Sequence, residues 1–521
     1  MAARMQQPMY VLSEDSSRTR GRAAQDSNVR AGRAVANAVR TTLGPRGMDK
    51  MLVDTAGEVV ITNDGATILR EMDIEHPAAQ MLVEVSETQE EAVGDGTTTA
   101  AVLAGELLAR AEDLLDDAIH PSVIVEGYHE AARIAGEAID EMRVDADLDD
   151  DLLARVAESS MTGKGTGDVA AATLAELVVE AVRRVETDEE IDRDDIRLHA
   201  RAGAASSASE LVDGILLDEE PATDDMPREV TDATVAVLDA KLEVRTGEAD
   251  AEYAISSVDQ LDAAIRAEDA ELRGYAETLA AAGVDVLVCS KKIDDRVAGY
   301  LADAGILAFT NVSDADAGAV AAVTGAKRLG TLADLDADDL GTAASVSVER
   351  HGEDDLTFVR GGSGDGPVTL LLRGSTEHVL AELERAMADA VDVVVAAIEG
   401  GVVPGAGATE IAIADRVRSA AAGVEGRTQL AVEAFADAVE ALPRTLAENA
   451  GIDPIDALVE LRSTHESAGS AGIVTGERSA SVGDPVAAGI VDPAAVKREA
   501  VASATEAARL ILRIDDVIAA E

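Results

Sequence analysis

Residues 78–115 read AAQMLVEVSETQEEAVGDGTTTAAVLAGELLARAEDLL. Apolar residues recur at helical spacing up to Ala92 and again from Thr97 to Leu115, and Gly94-Asp95-Gly96 interrupts them. A helix that starts on such a turn has free N–H groups in its first turn, and its dipole favours an anion there. Glycine lets a phosphate approach the backbone, and Thr97, Thr98 and Thr99 add hydroxyl donors. Asp95 supplies a hard oxygen of the kind Mg2+ shares with nucleotide phosphates. An ordinary capped helix start is the competing reading of the same residues.

Upstream, residues 24–43, AQDSNVRAGRAVANAVRTTL, have helical periodicity and stop at Gly44-Pro45. Residues 41–54, TTLGPRGMDKMLVD, make a second Gly-containing turn. A hairpin follows: KMLVD, a turn over residues 55–58, and VVITND. Asp64 lies at a tight turn in ITNDGATIL, where Asn-Asp-Gly is strong turn chemistry.

Downstream the pattern changes. DIRLHA, GILLDE and TVAVLDAKLEV read as strands, residues 257–282 as a long charged helix, and VDVLVCS, GILAFTNV and TGAKRL as alternating strands and helices. PATDDMP, residues 221–227, reads as a loop. After the strand VTLLLRG a helix runs from Glu377 through Ala397, and the Gly-rich turn EGGVVPGAG ends it. The chain is helical at both ends and α/β in its middle, which predicts one helical domain from both termini with the centre inserted. Asp389 lies on that late helix, with Asp392 a competing candidate. Hydrolysis of a nucleotide needs a carboxylate to orient or deprotonate water. Asp64, Asp95 and Asp389 supply such groups if folding unites them, which spacing alone does not decide.

Composition bounds the rest. The chain has 521 residues, 101 acidic against 44 basic, for a formal net charge of −57. Lysine occurs at seven positions. The acid is spread along the whole chain, so its surface repels itself unless salt screens it, a halophilic pattern. No basic face is present to neutralise phosphates, which argues against nucleic acid as a partner. A hydrophobic fraction of 47% with 2% aromatics and no Trp predicts a core of small aliphatics. The lone Cys289, inside VDVLVCS, reads as a buried strand residue. No apolar run reaches membrane-span length and no signal peptide opens the chain, so a cytoplasmic location is expected. SMTGKGTG around Lys164 imitates a phosphate loop but lacks GxxxxGK[ST], since Glu158 and Gly165 occupy two required positions. RGGSGDGP, residues 360–367, reads as a loop between strands.

These motifs, in this order, resemble the group II chaperonins, the archaeal thermosomes and the eukaryotic cytosolic chaperonin. The match runs from TRGRAAQDSNVRAGRAVANAVRTTLGPRGMDKMLVD through VVITNDGATILREMDIEHPAAQMLVEVSETQEEAVGDGTTTAAVLAGELL, and resumes at LLLRGSTEHVLAELERAMADA. It ends with SATEAARLILRIDDVIAA and is weakest over residues 145–368. The resemblance implies a multidomain α and α/β fold. Its parts are a helical equatorial domain (residues 1–147 and 402–521), a discontinuous intermediate domain (148–218 and 369–401), and an α/β apical domain (219–368) with a helical protrusion near 246–271. It implies a halophilic archaeal protein, an ATP hydrolase that encapsulates unfolded polypeptides in a homo- or hetero-oligomeric double ring. An ATPase-impaired structural or holding subunit of a mixed ring is the alternative.

By motif, the resemblance assigns Leu43, Gly44 and Pro45, with Gly96, Thr97, Thr98 and Thr99, to the phosphates of ATP, and Asp95 to Mg2+. K+ is a further plausible cofactor. Asp64 and Asp389 fall beside the hydrolytic water, and Lys164 in a loop that senses the γ-phosphate. Gly407 belongs to a ribose-side turn, and Asp492 and Lys497 lie near the nucleoside. Two departures stand out. The family's Gly-Gly-Gly turn reads Gly405-Ala406-Gly407, so a methyl crowds the nucleotide if Ala406 has φ > 0. SAGIVTGE is shortened, and Val474 replaces a common Asn or Asp.

Overall fold

A computed structural model describes residues 16–53, 57, 59–144, 148–164, 169–187, 191–244, 258–351, 354–364, 366–476 and 479–520. The chain forms two compact units. One comprises Met1–Thr166, Ala170–Val179 and Arg385–Glu521; the other comprises Gly167–Val169 and Glu180–Glu384.

The first unit is mainly helical. Its centre is the helix Thr97–Asp116, whose residues Ala100 to Ala104, Leu107, Leu108 and Ala111 are all fully buried. With so few aromatic residues, close packing relies on small side chains that let helices approach. Gly105 lies where a methyl would overlap Ala36 of the helix Arg22–Val39, and Gly127 of Pro121–Glu141 lies within methyl distance of Ala431 of Thr428–Val439. The rare rings meet here too: Tyr128 and Phe435 pack edge to face at 5.9 Å, and the Tyr128 hydroxyl donates to the Leu107 carbonyl at 2.8 Å. Three helices start with a capping side chain followed by Pro, at His76-Pro77, His120-Pro121 and Asp453-Pro454. There the side chain accepts an orphan N–H and proline removes another. Strands from opposite ends of the chain, Ser16–Arg20 and Asp516–Ala520, pair antiparallel, with Arg18 bridged to Asp516.

The predicted hairpin is present as Lys50–Val53 against Val59–Thr62. Two local expectations change. Asp64 is not in a hairpin turn: it is the N-cap of the helix Gly65–Glu71. The stretch after the helix Glu377–Gly400 is not only a turn, because Val402–Pro404 pairs antiparallel with Val491–Pro493. Three apolar residues gained a partner strand that a local reading could not see.

The second unit is α/β. A seven-stranded sheet runs Gly214–Leu217, Asp354–Gly362, Gly341–His351, Glu229–Leu238, Val286–Cys289, Leu307–Phe309, with Arg328–Leu329 beside Glu229–Leu238. Its first half is antiparallel and its last three strands parallel. The parallel strands read as unbroken apolar runs because helices cover such sheets, and Cys289 is fully buried among them, as expected. A smaller sheet pairs Val368–Gly374 with Ile196–Ala202 and Glu210–Val212. The helix Val258–Ala281 buries only Leu272, Ala276 and Leu279. The earlier part of the expected protrusion, residues 246–257, lies outside the described residues.

Candidate functional site

In the first unit, a cavity of about 570 Å³ is walled by turns from distant parts of the chain. This size suits a small-molecule ligand. Four glycines in left-handed conformation line it: Gly44 (φ +86°), Gly96 (φ +82°), Gly407 (φ +83°) and Gly489 (φ +77°). Gly96 and Gly407 are N-caps of the helices Thr97–Asp116 and Ala408–Ala421, and neither start is capped by a side chain. Both first turns thus leave N–H groups for an anion, although the Ala408 N–H already donates to the Gly405 carbonyl at 3.0 Å; the sequence suggested this arrangement for residues 94–99.

Of the residues expected from the sequence, Leu43, Gly44, Pro45, Asp64, Asp95, Gly96, Thr97, Thr98, Thr99, Lys164, Gly407, Asp492 and Lys497 all line the cavity. Asp389 does not line it. It lies behind Lys164, whose Nζ is 2.6 Å from Asp389 Oδ2. Asp392, the competing carboxylate, packs instead against Gly94, where a side chain would overlap its Cβ.

The carboxylates are held differently. Asp64 Oδ2 accepts the Thr67 N–H at 2.6 Å and Oδ1 the Thr97 hydroxyl at 3.1 Å, so this cap, worth about 1 kcal/mol, also fixes the turn over residues 94–99. Asp95 Oδ1 accepts the Gly96 N–H at 2.7 Å. Burial pushes the Asp389 carboxyl up to about 7, against the opposing pull of Lys164, while Asp95 and Asp64 push it further. Burial works against the charge on Lys164 too, but Asp389, Asp95 and Asp64 outweigh it and hold the ammonium above the usual lysine range. Elsewhere in the cavity wall, Lys497 Nζ lies 2.8 Å from both Asp492 Oδ2 and Glu410 Oε1.

Three buried or half-buried residues here were not suggested by the sequence. Asn449 donates to the carbonyls of Leu43 and Arg40 at 2.9 and 3.2 Å, tying down the Leu43-Gly44-Pro45 turn. Gln89, fully buried, donates to the carbonyls of Asp95 at 2.7 Å and Val496 at 3.2 Å, joining the turn over residues 94–99 to the helix Ala494–Leu512 that carries Lys497. Glu410 is the third. A buried Gln on the apolar face of an amphipathic helix was the available signal for Gln89; Asn449 and Glu410 had none.

Residues 35–521 match the TCP-1/cpn60 chaperonin family. The chain belongs to that family. Over its full length this chaperonin is 71% identical to thermosome subunit 3 of Haloferax volcanii, with the whole of both chains covered. It is 49% identical to thermosome subunit beta of Methanothermobacter thermautotrophicus, over 99% of this chain and 96% of that one. It is also 49% identical to thermosome subunit alpha of Halobacterium salinarum, over 99% and 92%. It is a group II chaperonin subunit of the halophilic archaeal type, as the sequence resemblance implied.

Both departures from the chaperonin pattern fall in the cavity wall. Ala406 has φ +55°, a left-handed conformation unusual for a residue with a Cβ. Its methyl lies against Gly472, at 2.9 Å from where a Cβ there would sit, and its carbonyl accepts the Ile473 N–H at 2.9 Å. Strand Gly472–Thr475, which contains Val474, therefore begins on the Ala406 turn. Among the described residues no helix is long and apolar enough to cross a membrane.

Proposed function

We propose that this chaperonin subunit binds MgATP in the cavity and hydrolyses it, and that hydrolysis drives enclosure of unfolded polypeptides in a double ring built with itself or with paralogues. What carries this reading is the gathering of two phosphate-type turns, Asp64, Asp95 and Lys164 around one space, with Asp389 paired to Lys164 behind it. Asp95 fits Mg2+: it is a hard-oxygen ligand with one oxygen committed to the Gly96 N–H. Among the described residues no cluster of three or more potential ligands is present, which suits an ion that takes most of its ligands from phosphates and water. Mg2+ there would neutralise charge on the transferring phosphoryl group.

In this scheme the N–H groups of Thr97, Thr98 and Thr99 and the hydroxyls of Thr98 and Thr99 bind phosphate oxygens that approach over Gly96, with the Leu43-Gly44-Pro45 turn also contributing. Lys164 adds a positive charge at the γ-phosphate end. Asp64 orients the attacking water, and Asp389 accepts its proton from the helix Glu377–Gly400. Asp492, Lys497 and Gly407 receive the nucleoside. Residues 1–147 and 402–521 act as the equatorial part, 148–218 and 369–401 as the hinge, and 219–368 as the client-facing part.

The family's relatives are themselves named as several distinct subunits, which supports a mixed ring. The intact carboxylates argue against an ATPase-impaired holding subunit. The test is MgATP turnover by the purified protein in molar KCl, with ring size followed by light scattering. Asp389→Ala is expected to leave the ring intact and reduce turnover by about 10²–10⁴-fold, the range for a lost proton acceptor. Full turnover in the variant would remove Asp389 from the mechanism. An intact wild-type ring without turnover would favour the holding role.

A further inference from the structure

Glu410 is the third residue of the helix Ala408–Ala421, just after the Ala406 turn. Its side chain is only 6% exposed, against 27% for Asp492. A buried carboxylate is tolerated only when paired. Here Oε1 is paired with Lys497, while Oε2 is buried with no hydrogen-bond partner among the described residues. Two carboxylates thus share one ammonium, with Glu410 on its buried side and Asp492 on its more exposed side. Lys497 in turn is 14% exposed and lies in the first turn of the helix Ala494–Leu512, which Gln89 ties to the Asp95 carbonyl through Val496. Gly405 also lies against Asp492, where a Cβ would sit 3.1 Å from the same Oδ2 that Lys497 holds.

The consequence is positional. An ammonium held by Asp492 alone would follow that carboxylate as it moved. Anchored from behind by Glu410, Lys497 fixes Asp492 Oδ2 and leaves Oδ1 to accept hydroxyl donors from a ligand. The donors a nucleotide offers at the end away from its phosphates include the two ribose hydroxyls. We propose that Glu410 is a positioning residue for nucleoside recognition: through Lys497 it holds Asp492 in the orientation that distinguishes a ribonucleotide from its deoxy counterpart. This rests on the reading of the cavity as a MgATP site.

The experiment compares the wild-type assembly with Glu410→Gln, Lys497→Met and the double variant in molar KCl. It measures turnover against concentration for ATP, 2′-deoxy-ATP and 3′-deoxy-ATP, and checks ring size by light scattering. Glu410→Gln is expected to raise KM for ATP by about tenfold with kcat within about twofold, the sign of lost binding rather than lost chemistry. The preference for ATP over the deoxynucleotides is expected to fall with it. In the Lys497→Met background, adding Glu410→Gln is expected to change KM no further, because residues acting through one contact are not additive. Unchanged KM and unchanged sugar preference in Glu410→Gln would overturn the proposal. So would additive losses in the double variant, or loss of the ring whenever Glu410 is replaced, since each assigns Glu410 a different role. Failure of the wild type to bind ATP at all would overturn the underlying reading of the cavity, an outcome separate from a wild type that turns over without sugar preference.

Discussion

Ala406 combines a strained backbone with a place in the cavity wall. A left-handed alanine costs about 1–2 kcal/mol relative to the right-handed form, whereas a glycine loses about 0.4–1 kcal/mol through its freer unfolded chain. The first effect is the larger, so Ala406→Gly is expected to stabilise the protein by up to about 1 kcal/mol in chemical denaturation at constant KCl. The same change removes a methyl from the cavity wall and is expected to lower KM for ATP; a rise would mean that the methyl packs on the nucleotide instead of crowding it. Asp389 gives a pH prediction. Its carboxyl, pushed up to about 7 by burial, is protonated below that pH and cannot then accept a proton. Turnover is expected to fall as pH drops through about 7, and Lys164→Met, by removing the cation that opposes the shift, is expected to move this limb to higher pH. A limb that stays in place in the variant would show that another group sets it. For stability the sign is opposite: a raised folded-state pKa means this group disfavours the folded state increasingly as pH climbs from its unfolded value near 4 to about 7. At this scale the sequence was informative where chemistry is local. Glycine and threonine beside a helix start announce a phosphate turn, but the partnership of Lys164 with Asp389, 225 residues away, leaves no trace in spacing. Glu410 looked like any acid in a first helical turn, because only its burial separates it from a solvated one.

At the scale of elements, helix periodicity and glycine stops placed the helices over residues 24–43 and 97–115, but did not delimit Asp150–Met161, Ala408–Ala421, Ala441–Asn449 or Ala494–Leu512, which also wall the cavity. The sequence reading failed where a short segment depends on a distant partner, as with Val402–Pro404 and Val491–Pro493. It also failed at Asp64, where turn chemistry and helix-capping chemistry use the same residues and only the following turn of helix distinguishes them. The close packing of small residues makes a measurable claim. Ala is favoured over Gly in a helix by about 1 kcal/mol, so Gly105→Ala would stabilise an isolated helix. Here the added methyl would overlap Ala36, and overpacking costs about 1–3 kcal/mol. Net destabilisation of up to about 2 kcal/mol is expected in chemical denaturation; a more stable variant would show that the two helices can separate without loss.

For the whole molecule, the charge of −57 on 521 residues dominates. Most of the ion pairs sit on exposed or half-exposed side chains, where each contributes at most about 1 kcal/mol, and they cannot offset repulsion among the remaining acids. Denaturation midpoints are therefore expected to fall as KCl is lowered from molar to millimolar, since the screening length grows from about 3 to about 30 Å between 1 and 0.01 M. Midpoints independent of salt would mean that the acidic surface is not what sets stability. One further property follows from the strand pair that joins Ser16–Arg20 to Asp516–Ala520. During synthesis the first residues of the helical unit leave the ribosome hundreds of codons before their partners are translated. The contiguous segment Glu180–Glu384 has nearly all of its own unit in hand much sooner. The middle of the polypeptide can thus mature while the nascent amino-terminal helices still wait for Ala494–Leu512 to emerge. A protein whose family guards other chains against premature contacts must itself keep an unfinished apolar surface waiting through almost the whole of its own translation.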